Sequence, residues 1–312
     1  MRKAYSGFMR ALSEGKFVFT GEVEPKKTTK LETIIWAANV LKSHVVACNV
    51  TDNPRARAYL SSLVASYVIQ KEVGLETICH MTVRDRNRLA LMSDLLGASA
   101  LGIRNVLVIS GDHTTSGDNP GAMPVYDLDS TQFVQMVRGM VDNGIDLNGN
   151  PIDGEVRLHV GVVGNPNADP LEVEICKVER KINAGAEFIQ TQIVFDVEMA
   201  KRFLKDLNSS IPVLIGIFPC KSYRVAEFIA NKIPGISVPK EYIDGLRGVE
   251  CLSSASESKN KIDAVNVDYF SNFIKELKKT TKVAGIHIMT MGYESIVGKI
   301  ADGLRNETRK GN

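Results

Sequence analysis

Apolar positions in this chain fall into short unbroken runs separated by segments of helical spacing. Val106 to Ile109 is one such run, and it stops abruptly at Ser110, Gly111, Asp112 and His113. A run of this kind predicts a strand buried on both faces, as in a parallel sheet covered by helices. The same grammar recurs, predicting strands at 17–23, 45–50, 76–81, 106–109, 156–163, 186–190, 213–218 and 283–289. Between them, apolar residues three and four apart predict helices. These lie at 31–41, about 58–72, 87–99, 130–142, 197–207, 222–232 and 262–279, with a last one starting near Tyr293. Leu171, Ile175, Val178 and Ile182 continue a further helix. Asp169, Pro170 and Glu172 read as its N-cap, first-turn proline and N3 glutamate, and Gly185 as its end. A short amphipathic helix at 4–14 precedes the first strand, and the stretch after 232 reads as an irregular excursion containing Pro and Gly.

Eight strand–helix units in about 300 residues predict an α/β fold of one domain, a closed (β/α)8 barrel over 1–312 with a short N-terminal helix. An open doubly wound sheet is the alternative. Neither GxGxxG nor GxxxxGK[ST] occurs, so the dinucleotide and phosphate-loop fingerprints are absent.

Composition narrows the function classes. With 44% hydrophobic and 24% charged residues, the chain can bury an ordinary globular core. Its net charge of +2 gives no case for nucleic acid or an anionic membrane as partner. The cysteines, Cys48, Cys79, Cys176, Cys220 and Cys251, are odd in number, scattered and without a CxxC. That favours reduced thiols in a cytoplasmic protein over disulfides, and argues against a self-contained zinc or iron–sulfur site. The basic N-terminus lacks the apolar core of a signal peptide, and no stretch reaches the roughly 18 apolar residues of a membrane span. The polar, Gly- and Pro-rich segment 113–129 reads as a lid or a partner surface.

In a barrel the carboxyl ends of all strands meet at one mouth. Those ends carry Glu22 and Glu24; Thr51, Asp52 and Asn53; His80 and Thr82; Ser110, Asp112 and His113; Asn165; Gln190 and Gln192; and Thr290. Amides and hydroxyls suit hydrogen bonding to a polar heterocycle, and carboxylates can manage protons. Gln190 and Gln192, two apart, share one face of their strand. Each position also has a plain structural reading: Asp112 as a turn residue, His80 as a satisfied buried histidine, Lys181 as a cation complementing a helix dipole. No nucleophile elbow accompanies Ser, His and Asp, and His80, His113 and His159 form no metal motif, so no metal site is expected.

Several motifs then occur in a familiar order. TGEVEP (20–25), ICHMT (78–82), ISGD (109–112), KINAGAEFIQTQIVFD (181–196) and GIFP (216–219) resemble the methylenetetrahydrofolate reductase family from about Lys16 to Leu304. DNPRARAYLSSL and GIHIM are similar to a short branch met in anaerobic one-carbon metabolism, without a regulatory domain. The resemblance implies a flavin at the barrel mouth and reduction of 5,10-methylenetetrahydrofolate to 5-methyltetrahydrofolate. By it, Glu22 is the general acid, Asp112 the carboxylate beside flavin and pterin, and Gln192 a folate contact. Thr51, His80, Ser110, Gly111 and Lys181 contact the flavin. Asn165 and Asp169 stand where relatives have a tyrosine and a histidine for the adenosine of FAD, so FMN is the alternative to FAD. Tyr293 stands where relatives have a folate-binding arginine. Glu24, on the strand face of Glu22, could raise its pKa as a like charge. Electrons come from NADH or from a partner subunit carrying an iron–sulfur cluster, and an oligomer is expected. Two other readings stay open: a barrel lyase or transferase working without flavin, with Lys181 as nucleophile, and a barrel subunit that scaffolds a redox complex.

Overall fold

The computed structural model describes residues 3–233, 235–250 and 255–308. Its strands are β1 (Val18–Val23), β2 (Ala47–Val50), β3 (Thr77–Thr82), β4 (Asn105–Ile109), β5 (His159–Gly164), β6 (Phe188–Ile193), β7 (Val213–Ile217) and β8 (Gly285–Ile288). All pair in parallel in sequence order, and β8 returns to β1 through Val18–Gly285, Phe19–Ile286 and Thr20–His287, closing the barrel. The expected (β/α)8 architecture is therefore the observed one.

Helices α1 (Gly7–Ser13), α2 (Glu32–Leu41), α3 (Ser62–Val68), α4 (Arg88–Ala100), α5 (Ser130–Arg138), α6 (Leu171–Asn183), α7 (Val197–Leu207), α8 (Tyr223–Lys232), α9 (Lys240–Glu250), α10 (Ala255–Thr280) and α11 (Ser295–Thr308) complete it. None is long and apolar enough to cross a membrane.

Alternation along the strands sorts side chains between two environments. In β1, Gly21 and Val23 face the helices, whereas Val18, Thr20 and Glu22 face the lumen; Gly21 leaves no room for a side chain, since a Cβ there would stand 2.9 Å from Leu41. The lower lumen is apolar, filled by Val18, Ala47, Ile78, Leu107, Phe188 and Leu214. Helix α1 seals this end, with Phe8 meeting Phe188 edge to face at 5.1 Å. Above that floor the lumen turns polar.

The boundaries differ from expectation in several places, among them the starts of β5, at His159 rather than Val156, and of α10, at Ala255 rather than about 262. Strand β6 runs to Ile193 rather than Gln190, with a bulge where Gly216 N–H donates 2.8 Å to Thr191 Oγ1. Helix α9 occupies part of the stretch expected to be irregular. And Asp169 does not cap α6: the N-cap is Pro170, which has no side-chain oxygen to offer, and the helix starts at Leu171. Cys48, Cys79, Cys176 and Cys220 are free thiols; burial pushes Cys48, Cys79 and Cys220 up to about 12, which leaves them unreactive, and Cys251 lies outside the described residues.

Candidate active site

Polar residues from five strands knit together across the upper lumen. Asn49 Nδ2 donates to Gln190 Oε1 (2.6 Å) and Gln190 Nε2 donates back to Asn49 Oδ1 (3.1 Å), a reciprocal amide pair. Asn49 Nδ2 also lies 2.8 Å from His80 Nε2, and Gln190 Nε2 donates to Thr20 Oγ1 at 3.2 Å. Thr20 in turn lies 3.0 Å from His287 Nδ1, its register partner across the β1–β8 seam. Because Asn49 Nδ2 donates, His80 Nε2 is an acceptor and its ring carries the proton on Nδ1, and the Thr20 hydroxyl, which accepts from Gln190, offers its own proton to His287 Nδ1. Burial pushes the His80 imidazole down to about 4, against the pull of the Glu22 carboxylate, so it is uncharged at neutral pH.

Glu22 sits above this network, 8% exposed. Its Oε2 is 3.8 Å from His287 Nε2, and its backbone carbonyl accepts the Thr290 hydroxyl at 3.0 Å. The expected role of Glu24 as a neighbouring like charge does not hold. Its carboxylate is paired with Lys26 and with Arg55 Nη2 (2.7 Å), which neutralise it.

The next three strands brace the opposite wall. Asp112 is exposed at the rim; its Oδ2 accepts the Arg55 backbone N–H at 2.8 Å, and no bond to Oδ1 occurs among the described residues. Arg84, 2% exposed, holds the rim loops: Nη1 donates to the Asp112 carbonyl (2.9 Å), Nη2 to the Asn53 carbonyl (3.1 Å), and the fork pairs with Asp85. Gly111 turns with φ +81°, and a Cβ there would lie 2.3 Å from Thr82 Oγ1, so no other residue fits. Ser110, exposed, offers its carbonyl to Thr82 Oγ1 at 2.9 Å.

A cavity of about 840 Å³ opens over this layer and reaches Glu22, Thr51, His80, Asp112, Asn165 and Gln192. It also reaches Ser110, Gly111 and Lys181, so of the expected site residues all but Tyr293 share one space. Tyr293 is buried beside α10, where its hydroxyl donates to Asp263, and it does not line the cavity. A carboxylate acceptor within the helical layer outcompetes the mouth for that phenol. On the far wall Lys181 Nζ donates to the Val163 carbonyl at 2.9 Å, and burial lowers its pKa. Lys177 and Arg180, from the same helix, also face the cavity, and Glu174 fixes Asn165 by accepting its N–H at 2.9 Å.

Sequence reasoning missed Thr20, Asn49, Arg84, Asn167 and His287. Thr20, Asn49 and His287 had a signal: polar residues inside otherwise apolar strands, in step with lumen positions. Among the described residues no group of three or more His, Cys, Asp or Glu is arranged to hold a metal.

The residues present fit a flavin. Thr51, 7% exposed in the cavity wall, has a buried hydroxyl with no partner, which a ligand's polar edge would satisfy. Lys177, Arg180 and Lys181 offer cations to a phosphate.

Comparison with known proteins agrees with this geometry. A Caenorhabditis elegans protein named probable methylenetetrahydrofolate reductase (NADPH) is 23% identical over 247 residues, 78% of this chain and 34% of that relative. The Zea mays methylenetetrahydrofolate reductase (NADH) 1 is 24% identical over 244 residues, 74% of this chain and 41% of its own. This chain thus spans well under half of those two relatives. A Pectobacterium carotovorum 5,10-methylenetetrahydrofolate reductase is 24% identical over 233 residues, 72% of each chain. In fold, the chain resembles a Clostridium thermocellum protein that binds two copies of 5-methyl-5,6,7,8-tetrahydrofolic acid, with TM-score 0.64, 16% identity and coverage of 96% and 99%. The methylenetetrahydrofolate reductase family's model matches residues 8–305, and with the closed barrel and its polar mouth this means that the chain belongs to that family.

Proposed function

We propose that this chain reduces 5,10-methylenetetrahydrofolate to 5-methyltetrahydrofolate in one-carbon metabolism, with Glu22 as general acid. The observation that carries the reading is Glu22 itself, a nearly buried carboxyl group at the barrel mouth with a histidine N–H facing it at 3.8 Å. A protonated Glu22 gives its proton to N10 of the substrate as the bond between N10 and the bridging methylene breaks. The electron pair of that bond takes the proton, and the methylene is left as an iminium on N5. A reduced flavin bound here, FAD or FMN, would supply the hydride that this carbon needs to become the N5 methyl group. Asp112 accepts hydrogen bonds from the pterin, its position set by the Arg55 N–H on Oδ2. Gln192 contacts the folate at the rim. Thr51, His80, Ser110 and Asn165 would line the flavin, and Lys177, Arg180 and Lys181 would hold its phosphate. The uncharged His80 places no cation beside Glu22. Electrons come from NADH or from a partner subunit carrying an iron–sulfur cluster, and the reaction belongs to the cytoplasm.

The test is an anaerobic titration of flavin-loaded protein. Methylenetetrahydrofolate reoxidises the reduced wild-type flavin, whereas Glu22→Gln slows this step by about 10²–10⁴-fold, the usual worth of a positioned acid, with flavin affinity unchanged. A chain that binds no flavin, or a Glu22→Gln variant at wild-type rate, defeats the reading.

A further inference from the structure

We propose that Asn167 is a specificity residue for the folate: its Oδ1 accepts an N–H of the reduced pteridine. This rests on the reading above. Asn167 follows β5, lines the cavity and is 8% exposed. Its Nδ2 donates to the Ile193 carbonyl at 2.8 Å and to Asn165 Oδ1 at 3.3 Å. Two carbonyl-type oxygens on that side fix the amide's orientation, since a flipped amide would set oxygen against oxygen. Oδ1 must therefore point away from them, and it is buried with no partner. An acceptor left unpaired in this way is costly unless a ligand or water supplies a donor.

The surroundings say which ligand. The cavity has a cationic arm, with Lys177, Arg180 and Lys181 along α6, suited to a phosphate. The corner beside Asn167 is different. Gln192, Ile233, Gly235 and Ile236 line it without a cation, and the one carboxylate nearby, Glu174, accepts the Asn165 N–H. Asn167 is tied to Ile193, the neighbour of Gln192, and both Asn167 and Gln192 line the cavity. Amides with an isoleucine wall suit a neutral heterocycle bearing N–H donors and no phosphate. A tetrahydropteridine has such donors in its 2-amino group, N3–H and N8–H. The flavin's phosphate goes to the other arm.

The experiment measures two affinities on the full chain. Wild type and Asn167→Ala are titrated with FMN and FAD, then the flavin-loaded proteins with 5-methyltetrahydrofolate. The expected result is a rise of about tenfold in the folate Kd, the usual effect of one lost hydrogen bond in a buried site, with both flavin Kd values unchanged. Loss of flavin affinity, equal losses for both ligands, or no change in either overturns the assignment. A second measurement needs no variant. In wild-type protein with 13C-labelled asparagine, the Asn167 carboxamide carbon shifts when 5-methyltetrahydrofolate is added to the flavin-loaded form. A shift with flavin alone, or none, overturns the proposal. Wild-type protein that binds neither flavin nor folate defeats the proposed function itself, and this assignment with it.

Discussion

His287 presents Nε2 to Glu22, 3.8 Å from Oε2, because Thr20 holds the ring's other nitrogen at 3.0 Å. The hydroxyl of Thr20 accepts from Gln190, so its own proton goes to His287 Nδ1, and the imidazole proton is left facing the carboxylate. A single tautomer thus stands beside the proposed acid.

Thr20→Val removes that constraint. Gln190 and His287 each lose a buried partner, a cost of about 1–3 kcal/mol in a urea titration. The folate-dependent reoxidation of reduced flavin falls by about tenfold, equivalent to roughly 1.4 kcal/mol in the barrier. Thr20→Ser keeps the hydroxyl and restores both. A Val variant with wild-type rate means that the tautomer does not matter.

His80 predicts a pH dependence of stability. Its imidazole is depressed to about 4 by burial, whereas an unfolded histidine titrates near 6.5. Above 6.5 both states are neutral and the group has no effect. Between 6.5 and 4 only the unfolded chain takes up the proton, so stability is lost as pH falls through that window, by up to about 3 kcal/mol. His80→Gln, which keeps an acceptor for Asn49, flattens the difference between urea midpoints at pH 7 and pH 4.5. An unchanged slope in that variant assigns the acid sensitivity to other groups.

Much of the barrel was legible because a parallel sheet buries both faces of its strands, and Val106–Ile109 shows this as an unbroken apolar run. Helix α9 was not legible. Gly245 and Gly248 lower helix propensity there, yet buried Tyr242 and Leu246 pin the segment, and a Cβ at Gly245 would stand 3.3 Å from Val265 of α10. At the site, Glu22, His80 and Asp112 could be found from their places at strand ends. Tyr293 could not be placed, because its competing partner Asp263 lies 30 residues away on α10. Gln190 and Gln192 share a face only in a regular strand. The β6 bulge leaves Gln190 buried in the lumen network and Gln192 exposed at the rim.

Arg84 predicts a structural loss at the mouth. Its guanidinium serves two carbonyls and the Asp85 carboxylate from a site with 2% exposure. Arg84→Ala leaves the Asn53 and Asp112 carbonyls without their shared donor and costs about 1–3 kcal/mol, while the exposed Asp85 keeps its bond from Asn53. Arg84→Lys keeps the charge but not the planar fork, so the Asn53 and Asp112 loops lose their common anchor. Both variants weaken flavin binding by fluorescence titration, Ala more than Lys. A Lys variant equal to wild type reduces Arg84 to a simple counter-charge.

The closed lower end predicts the opposite pattern, stability lost with the site spared. Phe8 is fully buried against Phe188 and belongs to the apolar floor formed with Val18, Ile78, Leu107 and Leu214. Helix α1 is held there by polar ties: Ser6 Oγ donates to Asn105 Oδ1 at 2.8 Å, and the Gly7 and Phe8 N–H groups donate to Glu76. Phe8→Ala opens a cavity under the lumen and costs about 3–5 kcal/mol. The polar layer of Thr20, Asn49 and Gln190 lies between that cavity and the mouth, and its bonds run among the strands rather than to α1. Flavin and folate affinities, measured well below the variant's unfolding temperature, therefore stay at wild-type values. A large drop in either affinity there means that α1 packing reaches the site through the lumen, and that the polar layer is not the rigid partition that its reciprocal amide pair implies.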